Sequence, residues 1–194
     1  MQRRFYQRST ERVARDLLGK LLVRTTTEGR AAVRLTEVEA YLGPADPACH
    51  TFGGRRTART EIMWGPAGFS YVYLVYGMHH CLNIVTVGDG RAEAVLIRGG
   101  LAVEGEALMR NRRGGGVGLS DGPGKLCQAL AITRADNGLD LCEAGSGLYV
   151  GDDGTRVPSA EVRSLPRVGV SYAGEAAAWP LRFLWQPSAY RRSQ

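Results

Sequence analysis

Lysine is almost absent from this chain. Of 25 basic residues only Lys20 and Lys125 are not arginine, set against 19 acidic residues for a net charge of +6. Histidine is also scarce, with three residues, and the four cysteines (Cys49, Cys81, Cys127 and Cys142) are too far apart for a C-x-x-C pair. That spacing argues against a zinc site and shows no disulfide framework, so neither a metal nor another cofactor is expected. Long apolar runs are missing too. The opening MQRRFYQRST is basic but is not followed by the apolar core of a signal peptide, and no stretch approaches the length of a membrane span. These absences lead to the expectation of an intracellular protein without a membrane partner, cytoplasmic or nucleoid-associated in a bacterium and nuclear in a eukaryote.

What is present fits one domain over residues 1–194, since 194 residues close one sizeable core and leave too few for a second. Arginine forks bind phosphate in two-pronged fashion, which would suit a polyanionic partner. An arginine-for-lysine bias of a GC-rich genome accounts for the charge equally well.

Ser9 or Thr10 can cap a helix with apolar positions Val13, Leu17, Leu18 and Leu21, before Gly19 and LLVR switch the chain to strand. TTTEGR reads as a turn and AAVRLTEVEAYLG as the returning strand. GPADPACHTFGGRRTARTEIMWGPAG is a long loop of turn formers and basic residues. FSYVYLVYGMHHCLNIVTV gives two strands meeting near Tyr76-Gly77, and GDGRAEAVLIR a third ending at Arg98. A helix is predicted from about Glu104 to Arg112, another after Pro123, and short strands around GLYVGDDGTR and LPRVGVSYAG, then a short helical piece before WPLRF. Strands joined mostly by hairpin-like turns, with scattered helices, predict an α+β fold on a largely antiparallel sheet.

Within the returning strand the alternation slips. Val33 and Leu35 fall in phase with Glu37 and Glu39, whereas Val38, Ala40 and Leu42 take the other phase; a bulge or a pocket edge would account for this. Two carboxylates two residues apart on a strand lie roughly 6.5 Å apart along the chain, near the spacing used by inverting glycosidases. Spacing alone favours solvent-facing residues or arginine partners. Tyr41 on the same face and His50 in the arginine-rich loop shift the balance towards a site. Tyr71 is well explained by packing, but Tyr76 at a hairpin tip has little core to enter, and on a basic protein it could wedge between stacked bases. GLSDGPGKL imitates a phosphate loop only superficially: the first glycine would have to stand where Leu119 is, and Leu126 follows the lysine in place of Ser or Thr.

EVEAYLG with DPACH downstream, GRRTARTEIMW, YVYLVYGMHHCLNIV, AVLIRG, DGPGKLCQAL, and PRVGVSYAGE with PLRF together resemble the alkyladenine (3-methyladenine) DNA glycosylase family of the human-enzyme type. The blocks run in order from Phe5 to Phe183. The resemblance implies a monomeric base-excision enzyme with a curved antiparallel sheet, surrounding helices and a protruding DNA-intercalating β-hairpin. Its partner would be double-stranded DNA containing damaged purines. By the same resemblance Glu39 activates the attacking water and Arg98 holds water and carboxylate. Tyr41, His50 and Tyr73 wall the base pocket, Asn83 lies at its floor, and Tyr76 fills the gap in the duplex. Arg55, Arg59, Met63 and Lys125 would approach the DNA backbone, and Glu37 would be structural. Thr60, Trp64, His79, His80 and Asp121 depart from common family residues and bear on DNA contacts. Two other classes stay open at this level: a non-catalytic damage-binding module, and a nucleoside or sugar hydrolase using Glu37 and Glu39.

Overall fold

The chain enters through two short helices, α1 (Arg3–Tyr6) and α2 (Thr10–Leu17), in a computed structural model that describes residues 1–187. The last seven residues of the expected 1–194 domain lie outside the described part. In α2 the apolar positions Val13, Ala14 and Leu17 are buried against the sheet. Ser9 holds the N-cap position without a side-chain capping bond. Thr10 is drawn inward instead, where its hydroxyl donates to Glu93 at 2.6 Å and meets Thr86 at 2.7 Å. Gly19, with φ near +80°, turns the chain out of the helix and into β1 (Leu21–Thr26).

β1 returns as β2 (Gly29–Tyr41), a 13-residue strand at the centre of the fold. Next come β3 (Ser70–Val75), β4 (His79–Thr86) and β5 (Glu93–Glu104), then helices α3 (Glu106–Arg112) and α4 (Pro123–Ala129), and finally β6 (Leu148–Gly151), β7 (Val162–Leu165) and β8 (Arg182–Trp185). The strand order is β3-β4-β5-β2-β1-β6, with β8 joining β2 and carrying β7, and each pairing is antiparallel. One edge of β2 follows β5. The other is shared, with β1 on residues 29–34 and β8 on residues 37–39, so the sheet forks there and curls into a half-barrel. The α+β expectation is met. Two element readings are corrected. β5 continues past Arg98 to Glu104, because Gly99 and Gly100 pass close to β2; a Cβ on Gly100 would stand 2.8 Å from the Arg34 carbonyl. The predicted strand in PRVGVSYAG is a loop leading into a 3-10 stretch, Ser171–Ala178.

The slipped alternation in β2 has a structural cause. Leu35 pairs with Gly100 and Glu37 with Gly99, leaving Thr36 as an extra residue; Val38 then pairs with Ile97, leaving Arg98 as an extra residue on β5. Such bulges shift the pleat by one residue. Val33 and Leu35 therefore join the main core together with Val38 and Ala40. Glu37 and Glu39 do not share a face with Val33 and Leu35, as strict alternation would require. They turn away from the core, and Arg98 is bent towards them.

Candidate active site

Glu39 is fully buried, a costly place for a carboxylate unless its charge is met. Three donors surround it. Val168 N–H reaches Oε1 at 2.8 Å, Tyr41 O–H reaches Oε2 at 2.9 Å, and Arg98 Nε lies 3.4 Å from Oε1. Burial raises its pKa, and the Arg98 charge, the Val168 N–H and the Tyr41 hydroxyl pull against that rise. Arg98 is shared, its Nε bonding Glu37 at 2.9 Å while Arg182 reaches the same Glu37 oxygen at 3.0 Å.

Tyr41, Arg98 and Val168 separate this carboxylate from a cavity of about 540 Å³ and form part of its lining. His50, Tyr73, Asn83, Tyr76, Arg59 and Met63 line the same space. The two β-bulges supply Arg98 and the β2 side chains, the β3–β4 hairpin supplies Tyr73 and Asn83, and the loop after β2 supplies His50. His50 packs edge-on against Tyr73 with ring centroids 4.6 Å apart, and its Nδ1 shares a hydrogen bond of 2.8 Å with the Tyr71 hydroxyl. Burial, aided by the Arg59 and Arg55 charges, lowers the His50 pKa to about 4, so the ring is neutral near pH 7. Asn83 donates from Nδ2 to the carbonyl of Tyr71, its cross-strand neighbour, at 3.1 Å.

At the mouth of the cavity the hairpin ends in a two-residue turn, Tyr76 and Gly77 with φ of +53° and +70°, closed by a Met78 N–H to Val75 carbonyl bond of 3.1 Å. These signs match the type I′ turns that suit hairpin twist. Tyr76 is 89% exposed and Met78 72%. Arg55 and Arg59 lie on the exposed loop surface. Lys125 sits 3.3 Å from both Asp121 oxygens beside the first turn of α4. Met63 is a correction. Expected on the DNA-facing side of its loop, it is 2% exposed and packs with Cys49 and Tyr71 in a second apolar cluster.

A model of the methylpurine-DNA glycosylase family matches residues 4–189. The chain belongs to that family. Three relatives bear the name "Putative 3-methyladenine DNA glycosylase". The protein of Methanocella arvoryzae is 52% identical over 184 residues, covering 93% of this chain and 90% of its own. That of Desulfitobacterium hafniense is 45% identical over 198 residues, covering 97% and 96%. That of Bdellovibrio bacteriovorus is 50% identical over 179 residues, covering 92% and 91%. Membership makes the chain a DNA glycosylase and therefore a hydrolase acting on DNA, which sets aside the non-catalytic module.

Four features of the site were not anticipated from sequence: the Val168 N–H, the Tyr71 hydroxyl on His50, Arg182 on Glu37, and a buried pair of Asp46 with Arg167. Of these, only Tyr71 had a local signal. Tyr71 and Tyr73 are two apart on one strand, so a wall placed on Tyr73 brings Tyr71 with it.

Proposed function

We propose that this methylpurine-DNA glycosylase flips alkylated or deaminated purines, 3-methyladenine and 7-methylguanine first and hypoxanthine or ethenoadenine beside them, into the cavity and hydrolyses the N-glycosidic bond. The observation that carries the reading is the buried Glu39 carboxylate directly behind the wall of an aromatic-lined cavity that opens beside an exposed hairpin tip. A base within a duplex cannot offer its glycosidic bond to water, so flipping is required, at a cost of a few kcal/mol that is least for damaged or mispaired bases. Tyr76 fills the gap left in the stack and slows return. Tyr41, His50 and Tyr73 hold the flipped base by stacking, and Asn83 bounds the pocket floor.

Glu39 accepts a proton from the attacking water and faces the positive charge that develops on the sugar. Burial favours the first role by raising its basicity. Arg98, held by Glu37 on one side, keeps enough of the carboxylate ionised near neutral pH. An N3- or N7-alkylated purine is already cationic and leaves readily, so the protein has mainly to position and deprotonate water. No lysine lines the cavity among the described residues, which supports a monofunctional enzyme acting as a monomer and leaving an abasic site. A two-carboxylate sugar hydrolase is disfavoured, because Glu37 is engaged by Arg98 and Arg182 and does not line the cavity.

The test is incubation with a duplex carrying one 7-methylguanine or one hypoxanthine, followed by strand cleavage at abasic sites. Cleavage at the lesion strand position above the protein-free control is expected. Its absence on both substrates would overturn the reading.

A further inference from the structure

Behind the cavity, and outside its lining, lies an ion pair with no solvent exposure on either side chain, Asp46 with Arg167. The guanidinium grips the carboxylate with both terminal nitrogens, Nη2 to Oδ1 at 2.8 Å and Nη1 to Oδ2. Asp46 also accepts the backbone N–H groups of Leu42 and Ala48, each at 3.0 Å. Arg167 Nη1 donates to the Ala40 carbonyl at 3.0 Å, and the guanidinium lies 4.8 Å from the centre of the Tyr41 ring.

Each of these bonds ends next to a residue of the site. Ala40 and Leu42 flank Tyr41, Ala48 precedes His50 by two residues, and Val168, which follows Arg167, gives its N–H to Glu39. A buried ion pair adds little net stability once its desolvation is counted. Its strength is direction, because a planar fork fixes both partners at once. We propose that Asp46 and Arg167 are positioning residues for base excision, a clamp that sets the Val168 N–H against Glu39, backs the Tyr41 ring and anchors the His50 loop. The proposal rests on the reading of Glu39 as the base, and it assigns the pair no contact with DNA.

The consequence appears in pH dependence. Glu39 is faced by Glu37 and Tyr41 on its own strand, Arg98 on β5, Tyr73 and Cys81 on the hairpin, and Arg167 and Tyr172 in the segment around Val168. Of the groups that favour its ionised form, the Val168 N–H is the one the clamp aims directly. If that donor drifts, Glu39 holds its proton to higher pH, and the acid limb of the excision rate moves up.

Arg167→Lys keeps the charge but loses the fork. Single-turnover excision of 7-methylguanine should fall about tenfold at pH 7, in line with misplaced catalytic groups, with a smaller deficit at pH 9 and lesion binding within about twofold of wild type. The paired change Asp46→Asn with Arg167→Gln leaves no unpaired buried charge, so it guards against simple unfolding, and its thermal midpoint is measured alongside. It should show the same displaced acid limb. A rate lowered by one factor at every pH in a folded variant would overturn the clamp and leave the pair a packing feature. Glu39→Gln is run in parallel. Retained excision there would overturn the reading of the base itself, whereas loss there with an unmoved acid limb in the clamp variants would sink the clamp alone.

Discussion

The back wall of the cavity and the tip of its hairpin solve opposite problems. At the back, a carboxylate without solvent contact is met by a backbone N–H, a tyrosine hydroxyl and a guanidinium, and each donor is itself tied to a neighbouring strand or loop. At the tip, Tyr76 sits in the left-handed region with its ring in solvent and no buried neighbour to hold it. A non-glycine residue there costs roughly 1 kcal/mol, and an exposed aromatic gains nothing in the free protein to offset it. The wall spends its interactions on the folded state. The tip reserves its own for the complex. Substitutions should therefore separate chemistry from capture.

Glu39→Gln carries the largest effect, with single-turnover excision falling about 10³-fold, within the range for loss of a general base, while binding to lesion DNA changes little. The same variant reports on burial. Because the folded fold raises the Glu39 pKa, its favourable contribution to stability is complete below the unfolded value and is lost as pH rises through the folded one. The thermal midpoint of Glu39→Gln relative to wild type should thus climb between pH 4 and pH 7. A flat difference would mean that the three donors fully compensate burial.

Asn83→Ser probes the floor between the two regions. Guanine differs from hypoxanthine by its 2-amino group, and exclusion by one bad contact is worth about 1 to 3 kcal/mol. The variant is expected to gain excision of guanine from a mispair with thymine by at least about tenfold relative to hypoxanthine. Asn83 also bonds the Tyr71 carbonyl, and that supplies the competing account: if the bond is its whole purpose, both substrates slow alike and the ratio stays fixed.

Tyr76→Gly should lower capture of a well-paired lesion by severalfold and of a mispaired one less, since the wedge acts on flipping and not on bond cleavage. The unfolding midpoint should rise at the same time, because glycine suits φ of +53°. Equal losses on both pairs would remove the wedge, and a lowered midpoint would show that the ring is held by the free protein after all.

Much of this contrast was legible before the structure, for a physical reason. A type I′ hairpin and an alternation slip are local, so Tyr76-Gly77 and the β2 bulge leave marks within a few residues. Glu39, Tyr41 and His50 fell within one short block. The remainder is long-range. Asp46 and Arg167 are 121 positions apart, and neither has a periodicity that announces a partner, so one read as a turn residue and the other as part of a strand. Val168 contributes through its backbone, which no side-chain pattern can reveal. Met63, beside arginines, read as a surface residue until the loop folded back over Cys49 and Tyr71.

His50 links the two regions, since its loop belongs to the wall while its hydrogen-bond partner Tyr71 stands on a hairpin strand. Its pKa is lowered to about 4, first by burial and then by Arg59 and Arg55. The sign follows from linkage: stability from this residue is present above the unfolded value near 6.5 and is lost as pH falls through about 4. His50→Gln should therefore cost a few degrees at pH 7, where the neutral ring and its bond to Tyr71 are lost, and less as the pH approaches 4, where wild type pays to keep the ring uncharged. Thermal melts of both proteins across that range decide it. Curves that stay parallel would mean the ring takes up its proton in place, with the wall and the hairpin coupled through packing of His50 on Tyr73 and not through the hydrogen bond to Tyr71.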